Sequence, residues 1–336
     1  MTPTSPSDGS AATLRTVSVA LCTYQSTRFL EPQLRSILEQ DYPVTEVVIA
    51  DDGSTDGTVD LIDRLKDELP GGEIIRVVAT ERVGGFSKNF ERAISACTSD
   101  VIVLSDHDDV WLPHRLSHAI THLGPSGSRS LVFSNAELID DNGRRLPGTL
   151  FGAYDVSERE TSEMLSGDAF HALLRRNIVT GATVMFESSL LSVAFPVGHR
   201  WIHDEWLAIM ASAVGTIHMI SEPLIQYRLH GSNQIGVPPR SKVKRTVAAL
   251  KAGSPRFHLL RDRAGTLVSR LEASGAPQRI LERARAKLEF EHARCRYTRI
   301  PVARYGRISV EWRAGKYHEF TPFPELERWR DLLQSP

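Results

Sequence analysis

The densest chemistry in this chain is acidic. Asp106, Asp108 and Asp109 put three carboxylates into four residues, with His107 among them, directly after the apolar run 101–105. Like charges so close raise one another's pKa, so the segment carries an electrostatic cost that a divalent cation would remove. Mg²⁺ and Mn²⁺ favour oxygen ligands and commonly take one or two carboxylates while bridging to substrate phosphates. A solvated acidic turn is the alternative, and Trp111, Leu112 and Pro113 just after the cluster argue against free exposure. A second acidic loop, Asp51-Asp52-Gly53-Ser54-Thr55-Asp56-Gly57, follows another apolar run. Alone it reads as turn and helix-cap chemistry. Paired with the first loop, it points to a binding site.

These loops depend on the elements that hold them. Short β-rich runs at 17–22, 46–50, 74–79 and 101–105 alternate with helical periodicity at 29–40, 57–69 and 87–96, and Pro113 opens another helix. In an open sheet of βα units, ligands bind at the carboxyl ends of the strands, where both acidic loops fall. The pattern then becomes mixed, with strands expected at 131–134 and 183–186, a turn at Asp140 to Gly143, and a helix at 204–213. After Val237-Pro238-Pro239 come basic amphipathic helices at 242–251, 257–272 and 277–296. The expected organisation is a disordered tail over 1–15, an α/β domain over 16–237 and a basic, mainly helical extension over 240–336.

The 336 residues, 41% of them hydrophobic, suffice for one large core or a core plus an appended lobe. Cys22, Cys97 and Cys295 are odd in number and widely spaced, which suggests neither a disulfide framework nor a zinc site and fits a reducing cytoplasm. No basic segment leads into an apolar one at the start, so no export signal is expected. The longest apolar runs have strand length and fall far short of a bilayer-spanning helix, so the protein is expected to be soluble or peripheral. The net charge of -1 hides an asymmetry: residues 1–239 hold 18 basic and 31 acidic groups, and residues 240–336 hold 22 and 10. Such a basic tail could face nucleic acid, an anionic membrane surface or the acidic main domain, and composition does not separate these.

Two enzyme classes fit poorly. A phosphatase-like hydrolase with Asp-x-Asp after a strand would want Thr where Val110 stands, and a dinucleotide enzyme would want G-x-G-x-x-G where Thr23-Tyr24-Gln25-Ser26-Thr27 stands.

Instead, the motifs resemble a known family. Val19-Ala20-Leu21-Cys22-Thr23-Tyr24, Ile49-Ala50-Asp51-Asp52-Gly53-Ser54, Gly84 to Asn89 and SDHDDVWLP at 105–113 are similar to the family 2 glycosyltransferases of the GT-A fold. Asn177 to Thr183, WIHDEWL at 201–207 and YRLHGSNQIG at 227–236 continue the match, so that the ordered set covers 17 to about 236. The fold implied is a Rossmann-like nucleotide-sugar-binding sheet, mixed in direction, with a helical C-terminal extension.

The resemblance implies that Thr23, Tyr24 and Asp52 border the nucleobase and ribose, with Asp51 as a helper. Asp106 and Asp108 match the DxD pair, Asp108 as metal ligand and Asp106 in contact with ribose, sugar or metal. Asp204 falls where the family keeps its catalytic base, and an N-cap role for the following helix is compatible with that. His230 is a further candidate metal ligand, against a structural role, and Arg228 could pair with phosphate oxygens or lie in a surface ion pair. Trp201, Trp206, Glu205 and Gly181 are candidates for the acceptor site, although core packing would also explain the tryptophans. The implied reaction is inverting and uses Mn²⁺ or Mg²⁺. The subgroup most resembled is rhamnosyltransferase-like, of bacterial surface polysaccharide synthesis, which suggests dTDP-L-rhamnose as donor, with UDP and GDP sugars open. A saccharide or lipid-linked acceptor, peripheral contact of the basic helices with the inner face of the membrane, and no nucleic-acid partner are expected. A retired transferase fold acting as a nucleotide-sugar-binding or scaffold subunit is the rival reading.

Overall fold

The computed structural model describes residues 14–231, 255–298 and 300–334. Residues 1–13 of the expected 1–15 tail, the proline pair at 238–239 and the helix at 242–251 lie outside these residues.

The first half folds as its periodicity requires. Strands β1 (Val17–Thr23), β2 (Glu46–Asp51), β3 (Ile75–Ala79) and β4 (Val101–Asp106) alternate with helices α1 (Leu30–Leu38), α2 (Thr58–Glu68) and α3 (Phe86–Ala96). The four strands pair in parallel, with β1 between β2 and β4. β1 and residues 101–105 of β4 are buried throughout, as strands covered on both faces must be. Alternate residues feed two cores. Ala20, Cys22, Ile102 and Leu104 face one, while Val19, Leu21, Val101 and Val103 face the other.

The second half closes the sheet with mixed directions. It adds β5 (Val110–Trp111), α4 (Arg115–Ile120), β6 (Ser130–Ile139), β7 (Arg145–Thr149), short helices α5 (Leu150–Ala153), α6 (Glu158–Leu165) and α7 (Ala169–Arg175), β8 (Val184–Glu187) and α8 (Leu191–Ala194). Helix α9 (His203–Val214) and β9 (Thr216–Arg228) follow, and the strand order is β3-β2-β1-β4-β8-β6-β9-β5, with β7 beside β6. Pro113 does not open α4, which starts two residues later at Arg115.

β9 is one of the elements to which sequence reasoning gave no range. Pro223 within it would ordinarily speak against a strand, but it sits where the β6 register jumps, with Ser134 facing Ile220 and Asn135 facing Pro223. The strand thereby delivers Tyr227, Arg228 and His230 to the acidic loop after β4. α9 is apolar on all sides, with Trp206 to Ala211 buried, as befits a helix inside the core.

The helices Pro255–Ala273, Gln278–Cys295, Pro301–Arg313, Lys316–Phe320 and Pro324–Leu333 do not form a separate core. Leu267, Leu271, Phe290, Tyr317 and Phe320 join the cluster that contains Phe90 and Trp206. Among the described residues no helix is long and apolar enough to cross a membrane.

Candidate active site

A cleft of about 540 Å³ opens over the carboxyl ends of β1, β2 and β4. At one end, the β2 carboxylates divide their work. Asp51 is fully buried and serves the turn, its Oδ1 accepting from Thr23 Oγ1 (2.8 Å) and Ser54 Oγ (2.6 Å) and its Oδ2 from Ser54 N–H (2.7 Å). Asp52 lines the cleft and receives the backbone N–H groups of Val83 (2.6 Å), Gly84 (3.1 Å) and Gly85 (3.1 Å). Burial pushes its pKa up, but these three donors outweigh it and hold the carboxyl below its usual range. Gly53 adopts φ +76°, and a Cβ there would meet Arg82 Cβ at 2.9 Å, so glycine lets the two loops close on each other. Thr23 and Tyr24 line the same end.

The middle of the cleft is the end of β4. Asp106, half-buried, has its pKa raised to about 8 by burial and by the charges of Asp108 and Asp204. Asp108 Oδ2 lies 2.7 Å from His230 Nε2. Burial again pushes Asp108 up, yet the hydrogen bond and the charges of His107 and His230 prevail and lower it. His107 lines the cleft, its pKa lowered chiefly by burial. Asp109 points inward at 2% exposure, Oδ1 accepting from Arg228 N–H at 2.9 Å and Oδ2 buried without a partner. Burial and the two neighbouring aspartates raise its pKa well above the usual carboxylate range. Arg115, buried 3.8 Å over the Trp111 ring, contributes a counter-charge.

At the far end stands Asp204, in the first turn of α9. Ile202 is the N-cap, so Asp204 sits inside the helix rather than capping it. Its Oδ2 accepts from Gly181 N–H (2.9 Å) and its Oδ1 from Glu205 N–H (2.7 Å). Burial raises its pKa to about 6 in spite of those two donors and the charge of Arg263. Glu205 lines the cleft and pairs with Arg263 (2.5 Å), whose guanidinium lies 4.2 Å from the Trp201 ring centroid. The C-terminal helices therefore buttress this end directly.

Of the sequence candidates, the cleft gathers Thr23, Tyr24, Asp52, Asp106, Asp108, Gly181, Asp204, Glu205 and His230. Four do not line it. Asp51 is consumed by its turn, and Arg228 reaches Asp108 O (2.7 Å) and Asp140 O (3.0 Å), stapling two loops together. Trp206 is fully buried with Nε1 donating to Ala194 O, and Trp201 Nε1 donates to Arg263 O. Packing thus accounts for both tryptophans. Sequence reasoning did not single out Phe86, Phe90, Tyr154, Tyr227 or His203 for the cleft they help to line. His203 had a signal, since it directly precedes Asp204, but the aromatics carried none that distinguishes them from core residues.

This arrangement offers an end held by β1 and β2, a carboxylate and imidazole group in the middle, and a buried carboxylate beyond it. The family model for glycosyl transferase family 2 matches residues 18–179. An uncharacterized glycosyltransferase of Nostoc sp. is 28% identical over 65% of this chain and 66% of its own length. The dTDP-rhamnosyl transferase RfbG of Shigella flexneri is 26% identical over 67% of this chain and 76% of its own length. The matches thus span about two thirds to three quarters of these curated relatives. A structure of S. aureus TarS 1-349 in complex with UDP-GlcNAc superposes over 95% of this chain and 90% of that one, with a TM-score of 0.53 at 17% identity. That likeness is one of fold.

Proposed function

We propose that this chain, which matches the family model for glycosyl transferase family 2 over residues 18–179 and has the GT-A fold, moves a sugar from a nucleotide donor to a hydroxyl of a saccharide or lipid-linked acceptor, inverting the anomeric centre. The observation that carries this reading is the meeting, in one cleft, of Asp52, of Asp106 and Asp108 with His230, and of Asp204. Thr23, Tyr24 and Asp52 receive the nucleoside. Asp51 and Arg228 hold the loops that present them.

The donor set fits a divalent cation. Two carboxylates and an imidazole line the middle of the cleft, and Asp106 has its pKa raised to about 8 by burial first and neighbouring negative charge second, which a cation would offset. Among the described residues no three His, Cys, Asp or Glu side chains are gathered closely enough to hold a metal by themselves. Diphosphate oxygens would complete the shell, as they commonly do for Mg²⁺ and Mn²⁺. Asp106, Asp108 and His230 would hold the ion, which when bound supplies Lewis-acid stabilisation of the charge building on the leaving diphosphate. Asp204 takes the acceptor proton. With a pKa of about 6 it is ionised at neutral pH and still basic enough to accept a proton as the new bond forms. Gly181 and Glu205 shape the acceptor side. Attack from the face opposite the diphosphate completes the reaction in one step.

For the donor, dTDP-L-rhamnose is the first choice, supported by the likeness to the Shigella enzyme; UDP and GDP sugars come next. We place the reaction on the cytoplasmic side, at the inner face of the membrane where acceptors are lipid-linked. Screening dTDP-, UDP- and GDP-sugars for hydrolysis with Mn²⁺ tests the reading. One donor should be hydrolysed and EDTA should stop it. Undiminished activity in EDTA would remove the metal, and failure to bind any nucleotide sugar would sink the function.

A further inference from the structure

Of the ten large hydrophobic residues that stand exposed among the described residues, seven lie between 300 and 333. The helix Gln278–Cys295 shows what a solvated surface looks like in the same lobe. Its exposed positions include Arg279, Glu282, Arg285 and Glu289, charges of both signs, and no large apolar side chain. The helix Pro301–Arg313 is built otherwise. Val302, Gly306, Val310 and Arg313 recur along one exposed line, with Tyr305 and Arg307 on its flanks. Val302 is 83% exposed and Val310 62%. The single carboxylate of this helix, Glu311, is turned half inward and pairs with Lys316 at 3.3 Å.

The helix Pro324–Leu333 lies alongside. Arg304 Nη1 donates to Leu332 O at 2.9 Å, and the Arg328 guanidinium stands 4.7 Å from the Trp312 ring centroid and 5.9 Å from that of Tyr305. Both helices turn their buried sides to the lobe, Arg304 and Ile308 from one, Glu327 and Asp331 from the other. Trp329, 61% exposed, and Leu333 thus stand on the outer side of the pair. Glu325 is the one exposed carboxylate on the two helices.

Such a surface fits a partner that takes apolar side chains and answers arginine with negative charge. A second copy of the same face would bring arginines against arginines, with one exposed carboxylate a side to meet them. An anionic lipid layer meets both demands. Its headgroups are the counter-charge, its acyl boundary accepts valine, leucine and the ring of tryptophan, and arginine reaches the headgroups along its own aliphatic stem. At 13 residues the helix Pro301–Arg313 can lie on a bilayer but not cross it.

We propose that the outer side of these two helices is a docking face for an anionic bilayer. Val302, Val310, Trp329 and Leu333 enter the boundary between headgroups and acyl chains, and Arg307 and Arg313 sit among the headgroups. Charge alone points to the basic helices at 257–272 and 277–296; exposed apolar area moves the contact to 300–333. The face supplies the contact for the membrane placement made above and rests on the transferase reading only for the acceptor it would serve. Its lobe also buttresses the Asp204 end of the cleft, through the pair of Arg263 with Glu205.

The test is co-sedimentation of the full chain with vesicles of phosphatidylcholine alone or with about one third phosphatidylglycerol. Wild type is compared with Val302→Ser/Trp329→Ser and with Arg307→Glu/Arg313→Glu. Wild type should bind the mixed vesicles about tenfold or more tightly than the neutral ones and lose most of that difference in high salt. Each double variant should bind the mixed vesicles about tenfold or more weakly than wild type. Their Tm should stay within about 2 °C of wild type, because the replaced side chains are exposed. Equal binding by either variant, equal binding to both kinds of vesicle, or no binding by wild type would overturn the face. So would a wild-type dimer in solution that the same substitutions split, which would give the surface to a second copy. Calorimetry with UDP, GDP and dTDP in Mn²⁺ reads the nucleotide end, where affinity should stay within about twofold in both variants. Wild type that binds nucleotide but no vesicle would sink the face alone, and wild type that docks on vesicles but binds no nucleotide would sink the transferase reading alone.

Discussion

Two regions of this molecule bury carboxylates and treat them in opposite ways. In the C-terminal helices, Arg294 is 1% exposed and donates to Asp331 through Nε (2.7 Å) and Nη2 (2.7 Å), to Glu327 (3.0 Å) and to Glu291 (3.1 Å). Lys287 and Arg330 complete the pairing of Glu291 and Glu327 at 2.8 Å each, and Tyr317 donates to Asp331 at 2.8 Å. Glu291, Glu327 and Asp331 each meet a cation. In the cleft, Asp106 and Asp204 have no such partner among the described residues, and Asp109 keeps one oxygen unpaired among them. Burial pushes up the pKa of Glu291, Glu327, Asp106 and Asp204 alike, but Lys287 and Arg294 bring Glu291 below its usual range and three arginines do the same for Glu327, while Asp106 and Asp204 stay high. The lesson is that satisfied buried charge belongs to architecture, and unsatisfied buried charge waits for a ligand.

The comparison breaks first at Arg294. Arg294→Met leaves Glu291, Glu327 and Asp331 short of their shared cation, so unfolding free energy should fall by ~3–5 kcal/mol, read by denaturant melts. Activity per folded molecule should be unchanged. If stability survived, the cluster would not be the structural counterpart of the cleft.

Asp204→Asn inverts that pattern. It removes the proton acceptor but keeps shape, so kcat should fall by ~10² or more with donor affinity nearly intact and Tm maintained or raised. Glu205→Gln loses a pair with Arg263 rather than the base, and its effect on kcat should be smaller. A large loss in Glu205→Gln with a mild one in Asp204→Asn would move the base by one residue.

Asp108→Ala should abolish metal-dependent donor binding, seen by calorimetry, while the fold persists because one charge has left a crowded acidic site. A global loss of structure would class Asp108 with the C-terminal carboxylates instead.

The smallest effect is also the sharpest in sign. Without metal, Asp106 and Asp204 hold protons in the folded chain that the unfolded chain has released, because their pKa values stand at about 8 and about 6. Their contribution to stability therefore falls as pH rises from about 4 to 8. Glu291 and Glu327, lowered in the fold, contribute stability above their unfolded pKa and lose it as pH falls through the lower folded one. Thermal melts in EDTA should show the high-pH loss, and Asp106→Asn with Asp204→Asn should flatten it. In turnover, kcat should drop about tenfold per unit below pH 6 as Asp204 takes up a proton. A melt independent of pH over 5 to 8 would mean that the cleft carboxylates are compensated after all.

The sequence by itself determined the local design: four βα repeats from hydrophobic period, both acidic loops from their place after apolar runs, and the helix that carries Asp204. These are short-range properties, set by residues a few positions apart. Tertiary structure alone decided which polar residues face the cleft. Asp51 and Asp52 are neighbours, yet one is spent on Thr23 and Ser54 while the other borders the cavity, because successive residues at the end of β2 take different directions. Arg228 and His230 lie two apart at the end of a strand disguised by Pro223, and the pairing of β9 with β6 brings them to Asp108. His203 reads as one more polar residue beside a base; that its nitrogens are buried and unpartnered depends on Phe90 and Gly181, which lie far from it in the chain and meet it only when the layers pack.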